Sequence, residues 1–106
     1  FNFGPSNAKS YNVMFLVKFM RKHWKKVSWR IGKKSKKKFF ESNLLKLNCN
    51  KAKFILRWKC ILSFSETVEM TVNWYKNYYT KPKKIYETSF NQIKEYEKLL
   101  KKRSIK

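Results

Sequence analysis

The chain has 106 residues and a formal net charge of +21, which arises from 27 Lys and Arg residues against six Glu and no Asp. Hydrophobic residues make up 42% of the sequence and aromatic residues 18%, and this supply of core material excludes wholesale disorder. The positive excess predicts an attraction to nucleic acid or to an anionic membrane surface.

The ends of the chain, its apolar runs and its cysteines indicate part of an intracellular protein. The chain begins at Phe1 rather than at Met, and we expect residues 1–106 to be a single domain that belongs to a longer protein. The longest dense apolar run, Val13–Met20, is too short to span a bilayer, so we expect no membrane span. Cys49 and Cys60 lie 11 positions apart without a CxxC motif, which favours free, buried thiols in a cytoplasmic protein over a disulfide.

The first third of the chain is predicted to contain one helix between two short strands. Phe1–Phe3 is predicted to be extended, because a Gly-Pro pair follows it and ends it. A helix is predicted from Tyr11 to about Lys25, with Ser10 as its N-cap. Its apolar residues recur at helical spacing, at Val13, Leu16, Val17, Met20 and Trp24. Val27–Ile31 alternates apolar and polar residues, as a half-buried strand does.

The middle of the chain is predicted to be mostly irregular. Lys33–Lys38 is a loop with five lysines, and Phe39–Leu47 is mostly extended. Asn50 is predicted to cap a short helix over Lys51–Leu56. Cys60–Leu62 then serves as a connector.

Two capping boxes predict helices in the last part of the chain. Ser63 and Glu66 have the spacing of such a box, so a helix is expected over Phe64–Tyr79. Its predicted inner face consists of Phe64, Val68, Thr71, Val72 and Tyr75. Pro82 ends that helix, and Ser89 opens a second box and a last helix to about Lys102. The predicted inner face of the last helix consists of Phe90, Ile93, Tyr96, Leu99 and Leu100. Three to four helices with a few short strands give an α+β fold class.

The residues for enzyme chemistry are largely missing from this sequence. His23 is the single histidine, and nothing has the spacing of zinc ligands, so we expect no catalytic and no metal site. Only two glycines are present, so neither a GxGxxG nor a GxxxxGK[ST] phosphate loop can be built. Tyr79 and Lys83 form a Tyr-x-x-x-Lys match, but Pro82 between them disrupts the helical geometry that such a pair requires. We therefore expect no cofactor-binding site in this chain.

Nucleic-acid binding is the function that composition alone favours. The lysines of Lys33–Lys38 lie beside Trp29, Phe39 and Phe40, a combination that suits a cationic loop with stacking aromatic rings. Alternatively, the lysines form a solvated loop and the aromatic residues belong to the core. No helix-turn-helix, zinc-finger or ribonucleoprotein motif accompanies them.

A set of short motifs in the second half of the chain resembles a known family. The motifs are Lys51-Ala52, Leu56-Arg57-Trp58-Lys59-Cys60 and Trp74-Tyr75. They resemble the Lys-Ala helix, the Leu-Gly-Trp-x-Pro segment and the Trp-Tyr helix end of the extended short-chain dehydrogenase/reductase family, the sugar-nucleotide epimerases and dehydratases. Three further stretches resemble the CDP-glucose 4,6-dehydratase branch in the same order: Phe1-Asn2-Phe3-Gly4-Pro5, Glu41 through Ala52, and Asn91-Gln92-Ile93 with Tyr96.

The resemblance implies that this chain is the small C-terminal substrate-binding subdomain of such an enzyme. In that family an N-terminal Rossmann domain binds NAD and carries the catalytic Tyr-x-x-x-Lys pair. The dehydratase, a lyase, oxidises the sugar, eliminates water and returns the hydride. The chain would therefore be inactive by itself, and its implied partners are its own Rossmann domain and a CDP-glucose-like nucleotide sugar.

The resemblance also implies a substrate site and marks places where this chain departs from the family. Phe40, Glu41 and Asn43 would contact the nucleotide or pyrophosphate end of the substrate, unless they serve only as loop and packing residues. Arg57 occupies the position of the family glycine, where a left-handed backbone would suit the end of a helix. Cys60 stands in place of the family proline.

Overall fold

The computed structural model describes residues 1–5, 11–32 and 47–104, and this part of the chain is mostly helical. It contains four α-helices and one 3₁₀ turn, in the order α1 (Val13–His23), α2 (Asn50–Ile55), α3 (Phe64–Thr80), the 3₁₀ turn (Pro82–Lys84) and α4 (Ile85–Ser104). The prediction of three to four helices is confirmed.

No β-strand occurs among the residues that the structure describes, so the strands predicted at Phe1–Phe3 and Val27–Ile31 are wrong. Alternation of apolar and polar residues suits a strand, but a strand forms only where a second strand accepts its backbone hydrogen bonds. After α1 the backbone instead closes a turn, because the N–H of Val27 donates to the carbonyl oxygen of Trp24 at 3.0 Å. The described part is therefore helical rather than α+β.

Helix α1 is capped by Asn12. The Asn12 side-chain oxygen accepts a hydrogen bond from the N–H of Phe15 at 2.7 Å, which satisfies one of the free donors of the first turn. The predicted cap, Ser10, lies outside the described residues, and the helix begins two residues later than predicted. It ends at His23, where three basic side chains in the last turn complement the negative end of the helix dipole.

Aromatic rings join α1 to α3. The ring of Phe64, at the start of α3, lies 3.9 Å from that of Tyr11 and 5.7 Å from that of Phe15, measured between centroids. At the other end, the rings of Trp24 and Tyr79 are 6.0 Å apart. The two helices therefore run side by side in the same direction.

The fully buried core of the described part is small. It consists of Ala52, Val68 and Val72. The predicted inner face of α3 is correct at its two valines, whereas Phe64 is half-buried and Thr71 and Tyr75 are exposed. Helix α4 contributes no fully buried side chain, and of its predicted inner face only Tyr96 and Leu99 are half-buried.

The first predicted capping box is confirmed and the second is wrong. Ser63 accepts a hydrogen bond from the N–H of Glu66 at 3.2 Å, and the Glu66 carboxylate accepts from the N–H of Ser63 at 2.8 Å. Helix α4 begins at Ile85, four residues before Ser89, because Pro82 starts a 3₁₀ turn that leads directly into the helix. Ser89 is thus inside the helix.

Polar side chains link α3 to α4. The indole N–H of Trp74 donates to the hydroxyl of Ser89 at 2.8 Å, and that hydroxyl donates to the carbonyl of Ile85 at 2.8 Å. The side-chain amide of Gln92 donates to the carbonyl of Met70 at 2.7 Å. These bonds hold the two helices together where few apolar side chains are buried.

Helix α2 ends at Ile55, and the left-handed backbone that the family resemblance implies for Arg57 is found two residues beyond that end. Arg57 has a φ of 52° and is the one non-glycine residue of the described part with a positive φ. Just before and after it, the N–H groups of Leu56 and Trp58 both donate to the carbonyl of Ala52, at 3.1 and 3.3 Å. The start of α2 differs from the prediction, since Asn50 is its first helical residue and Cys49 its N-cap.

The ion pair between Glu66 and Arg103 connects three segments. Two guanidinium nitrogens of Arg103 donate to the two carboxylate oxygens of Glu66 at 2.6 and 2.9 Å, a bidentate arrangement. Arg103 also donates to the carbonyl of Ile61 in the connector before α3. The hydrogen bonds from Arg103 and from the backbone of Ser63 lower the pKa of Glu66 to about 2.

Replacing Arg57 with glycine is expected to stabilise the fold. A glycine adopts the left-handed conformation without strain, so Arg57→Gly is expected to raise the free energy of unfolding by about 1 kcal/mol. Lys53→Gly, in the interior of α2, is the matched control and is expected to lower it by about 1 kcal/mol. Urea denaturation of the three proteins measures both changes. Destabilisation by both substitutions would contradict the left-handed assignment.

The ion pair predicts a dependence of stability on pH. A carboxylate whose folded pKa is depressed stabilises the protein above its unfolded pKa, and that stability is lost as the pH falls toward the folded value. The free energy of unfolding is therefore expected to fall between the ordinary pKa of 4.5 and about 2, and Glu66→Gln is expected to flatten this slope. Denaturation at a series of pH values measures it, with Glu87→Gln as the control. An equal slope in Glu66→Gln and wild type would contradict this role of the ion pair.

Candidate functional site

The residues that sequence analysis places in the substrate site lie outside the described residues. Phe40, Glu41 and Asn43 belong to residues 33–46, as does the lysine-rich loop. Their predicted contact with the nucleotide or pyrophosphate end of a substrate therefore stays a prediction. The structure describes the segment that follows them, from Leu47 onward.

A pocket of about 310 Å³ lies between the first residues of the chain and α2, and we call it the basic pocket. Three segments line it, namely Gly4-Pro5, Leu47 to Asn50 with Lys53, and Trp58 to Cys60. Trp58 to Cys60 belong to one of the motifs quoted for the family resemblance, and Leu47 to Asn50 belong to one of the further stretches.

Contacts between distant parts of the chain build the pocket. The side-chain amide of Asn2 donates to the carbonyl of Asn48 at 3.3 Å. The ring of Phe3 meets the indole of Trp58 edge-on, with centroids 5.1 Å apart. A Cβ atom at Gly4 would lie 3.3 Å from the Sγ of Cys49, which is so close that the Cys49 side chain would have to shift. Gly4 therefore allows the first segment to lie close against the segment that leads into α2.

The charge of the basic pocket is positive. Lys53 and Lys59 line it and are exposed, and neither forms an ion pair or a hydrogen bond within the described part of the chain. Among the described residues, no Asp or Glu lines it. The side chains of Asn48 and Asn50 add amide groups to the same wall. The pocket therefore suits an anion better than a cation or an apolar ligand.

Both cysteines line the basic pocket, and both are free, as the sequence predicts. The thiol of Cys49 donates to the carbonyl of Leu47 at 3.8 Å, and that of Cys60 donates to the carbonyl of Leu62 at 3.4 Å. Each cysteine is half-buried rather than buried.

A second concave region, the helix groove, lies between α3 and α4. Two adjoining cavities of about 350 and 280 Å³ share the residues Met70, Trp74 and Gln92. The polar groups of Trp74 and Gln92 already form the bonds that join the helices, so few polar groups are left for a ligand. The helix groove is therefore a weaker candidate than the basic pocket for a polar substrate.

The described residues offer little for catalysis. His23 packs against Phe19 with ring centroids 5.4 Å apart, and its Nε2 atom is buried without a hydrogen bond. No group of three or more His, Cys, Asp or Glu side chains in residues 1–5, 11–32 and 47–104 is placed to hold a metal ion. None of the helices in that part of the chain is long and apolar enough to cross a membrane.

Lys53 and Lys59 are the site residues that sequence analysis did not identify. The sequence carries a local signal for a basic site, because the stretch between Glu41 and Glu66 contains five Lys and Arg residues and no Asp or Glu. The overall excess of lysine obscured this signal.

Comparison of the chain with protein-family models, with curated proteins and with solved structures found no match.

Proposed function

We propose that this chain is the nucleotide-sugar-binding C-terminal portion of a CDP-glucose 4,6-dehydratase-like enzyme of the extended short-chain dehydrogenase/reductase family. The portion supplies substrate contacts, while NAD binding and hydride transfer belong to a Rossmann domain elsewhere in the full enzyme. By itself the chain is inactive. The conclusion depends most on one observation, the backbone conformation of Arg57.

The positive φ of Arg57 supports the resemblance to the family, because a biased amino-acid composition alone does not produce a left-handed backbone. Only a few per cent of non-glycine residues have a positive φ, because a Cβ atom makes that conformation costly. The described part contains one such residue, and it lies at the position of glycine in the family motif Leu-Gly-Trp. A helix end that requires left-handed backbone explains why a glycine would be usual there.

The small core and the exposed apolar side chains also support a piece of a larger enzyme. Phe54 and Ile55 at the end of α2 and Leu56 directly after it are 73%, 64% and 50% exposed. Phe1 and Phe3 are more than half exposed as well, at 58% and 52%. Apolar clusters of this kind mark surfaces that pack against another protein or domain. The Rossmann domain of the proposed enzyme is the partner that would cover them.

The basic pocket supports the proposal that this chain binds the substrate while the Rossmann domain binds NAD. Nucleotide sugars carry a diphosphate, so a subdomain that binds them needs uncompensated positive charge near a concave surface. Lys53 and Lys59 in the lining, with no carboxylate among its described residues, are in keeping with that need. The free thiols of Cys49 and Cys60 suit a reducing compartment, and we place the enzyme in the cytoplasm.

A second candidate function, nonspecific nucleic-acid binding, is favoured by a separate surface. Tyr79 and Tyr86 are 67% and 81% exposed and flank three exposed lysines, Lys81, Lys83 and Lys84. Exposed aromatic rings among cations are the features on which single-stranded nucleic acids stack and bind. This surface lies at the turn between α3 and α4 and does not include the residues of the basic pocket.

Titration calorimetry separates the two candidates. At about 0.15 M NaCl, where exposed charges are largely screened, the chain is expected to bind CDP-glucose saturably and more tightly than GDP-mannose. A single-stranded RNA oligonucleotide is expected to bind only at low salt, since its affinity falls steeply as salt rises. Retention of RNA binding at about 0.15 M NaCl without binding of CDP-glucose would contradict the dehydratase assignment and favour the nucleic-acid function.

A further inference from the structure

Helix α4 exposes an apolar face, and we call its five residues the apolar stripe. Tyr86 and Ile93 are 81% and 58% exposed, and Phe90 and Leu100 are 46% and 40% exposed. The fifth residue, Glu97, lies among them and is exposed as well. In chain order these residues are four, three, four and three positions apart, which is the spacing of the contact face of a coiled-coil helix.

Contacts within α4 place these side chains on one face. The rings of Tyr86 and Phe90 are stacked with their centroids 6.4 Å apart, and the Nζ of Lys94 lies 4.5 Å from the centroid of the Phe90 ring. These three residues follow one another at intervals of four positions, so each lies about one turn beyond the last. Lys94 therefore borders the apolar stripe.

A different side of α4 joins it to α3. Ser89, Gln92 and Arg103 form the hydrogen bonds and the ion pair between the two helices. Helix α4 thus contacts α3 largely through polar groups, while its regularly spaced apolar residues remain exposed. Apolar residues at coiled-coil spacing are normally covered by a second helix.

Two charged residues of this face have no ionic partner in the described part of the chain. Glu97 lies within the apolar stripe and Lys94 borders it. The single ion pair among the described residues joins Glu66 to Arg103. A carboxylate that becomes covered by apolar side chains needs a cation beside it. A helix that covers the stripe must therefore bring a positive charge to Glu97 and a negative charge to Lys94.

A second copy of α4 meets this requirement when the two helices run antiparallel. Phe90 and Leu100 lie five positions before and after Glu95, so a pairing centred at the level of Glu95 brings Phe90 of each copy to Leu100 of the other. In the same register, Glu97 of each copy lies beside Lys94 of the other. The two-fold symmetry of the pair thus compensates both charges twice.

We propose that the apolar stripe is a homodimer interface, in which α4 pairs antiparallel with α4 of a second copy of this chain. The proposal goes beyond the proposed function and does not depend on it, because it is argued from α4 alone. The net charge of +21 opposes association of two copies at low ionic strength. Salt screens this long-range repulsion more than the close ion pairs, so the dimer strengthens as salt rises, whereas nucleic-acid binding weakens.

The test is sedimentation velocity of the chain over a series of concentrations, which measures the dissociation constant of the dimer. The interface variants are Glu97→Lys, Lys94→Glu and the double variant that carries both. The controls are Glu95→Lys and Lys98→Glu, which change the net charge by the same amounts at positions of α4 outside the apolar stripe. All four side chains are exposed, so the variants are expected to fold, which circular dichroism verifies.

The wild type is expected to dimerise more tightly at about 0.15 M than at about 0.01 M NaCl. At about 0.15 M NaCl each single interface variant is expected to raise the dissociation constant by at least about tenfold, because it places like charges side by side. The double variant restores opposite charges and is expected to return to within about threefold of the wild type. Each control is expected to change the constant by less than about twofold.

Three results would overturn the proposal. A wild-type chain that stays monomeric up to about 1 mM would show that something other than a second copy covers the stripe. Equal effects of interface and control variants would show that association reflects diffuse charge. A double variant as weak as the single variants would exclude the antiparallel register. Dimerisation as expected by a chain that does not bind CDP-glucose would retain the interface and contradict only the dehydratase assignment.

Discussion

The carboxylate of Glu66 is the group on which the arrangement of the second half of the chain depends. It caps the first turn of α3 through the N–H of Ser63 and pairs with Arg103 in the last turn of α4. Arg103 in turn holds the carbonyl of Ile61, so one side chain connects the segment before α3, the start of α3 and the end of α4. Because few apolar side chains are buried between these helices, polar contacts at both ends of α3 carry much of their association.

A second constraint, the left-handed backbone of Arg57, positions the candidate site. Directly after this residue, the N–H of Trp58 donates to the carbonyl of Ala52 in α2. Lys53 and Lys59, which are distant along a straight chain, therefore line one pocket. The ring of Phe3 contacts Trp58, which is one of the lining residues. The left-handed turn and the basic pocket are thus parts of the same local structure.

Features set by adjacent residues could be predicted from the sequence, and features set by distant partners could not. The capping box of Ser63 depends on two residues three positions apart, and its prediction is confirmed. The left-handed backbone of Arg57 agrees with what the family resemblance implies, whereas an arginine by itself gives no local signal for it. The strand at Val27–Ile31 was predicted from alternation alone and is wrong, since no second strand pairs with it in the described part. Ser89 and Gln92 have the spacing of a capping box, whereas the bond of Ser89 with Trp74, fifteen positions earlier, has no local signature. The pair of Glu66 and Arg103 was missed for the same reason.

We propose that the chain is the C-terminal portion of an extended short-chain dehydrogenase/reductase, because short motifs resemble that family and the basic pocket carries positive charge that suits a nucleotide sugar. The most direct measurement is the coding sequence immediately upstream of the codon for Phe1. The account predicts an open reading frame in register with this chain, encoding a glycine-rich dinucleotide-binding motif followed by Tyr-x-x-x-Lys. An in-frame stop codon upstream of Phe1 with no such motifs between them would contradict it.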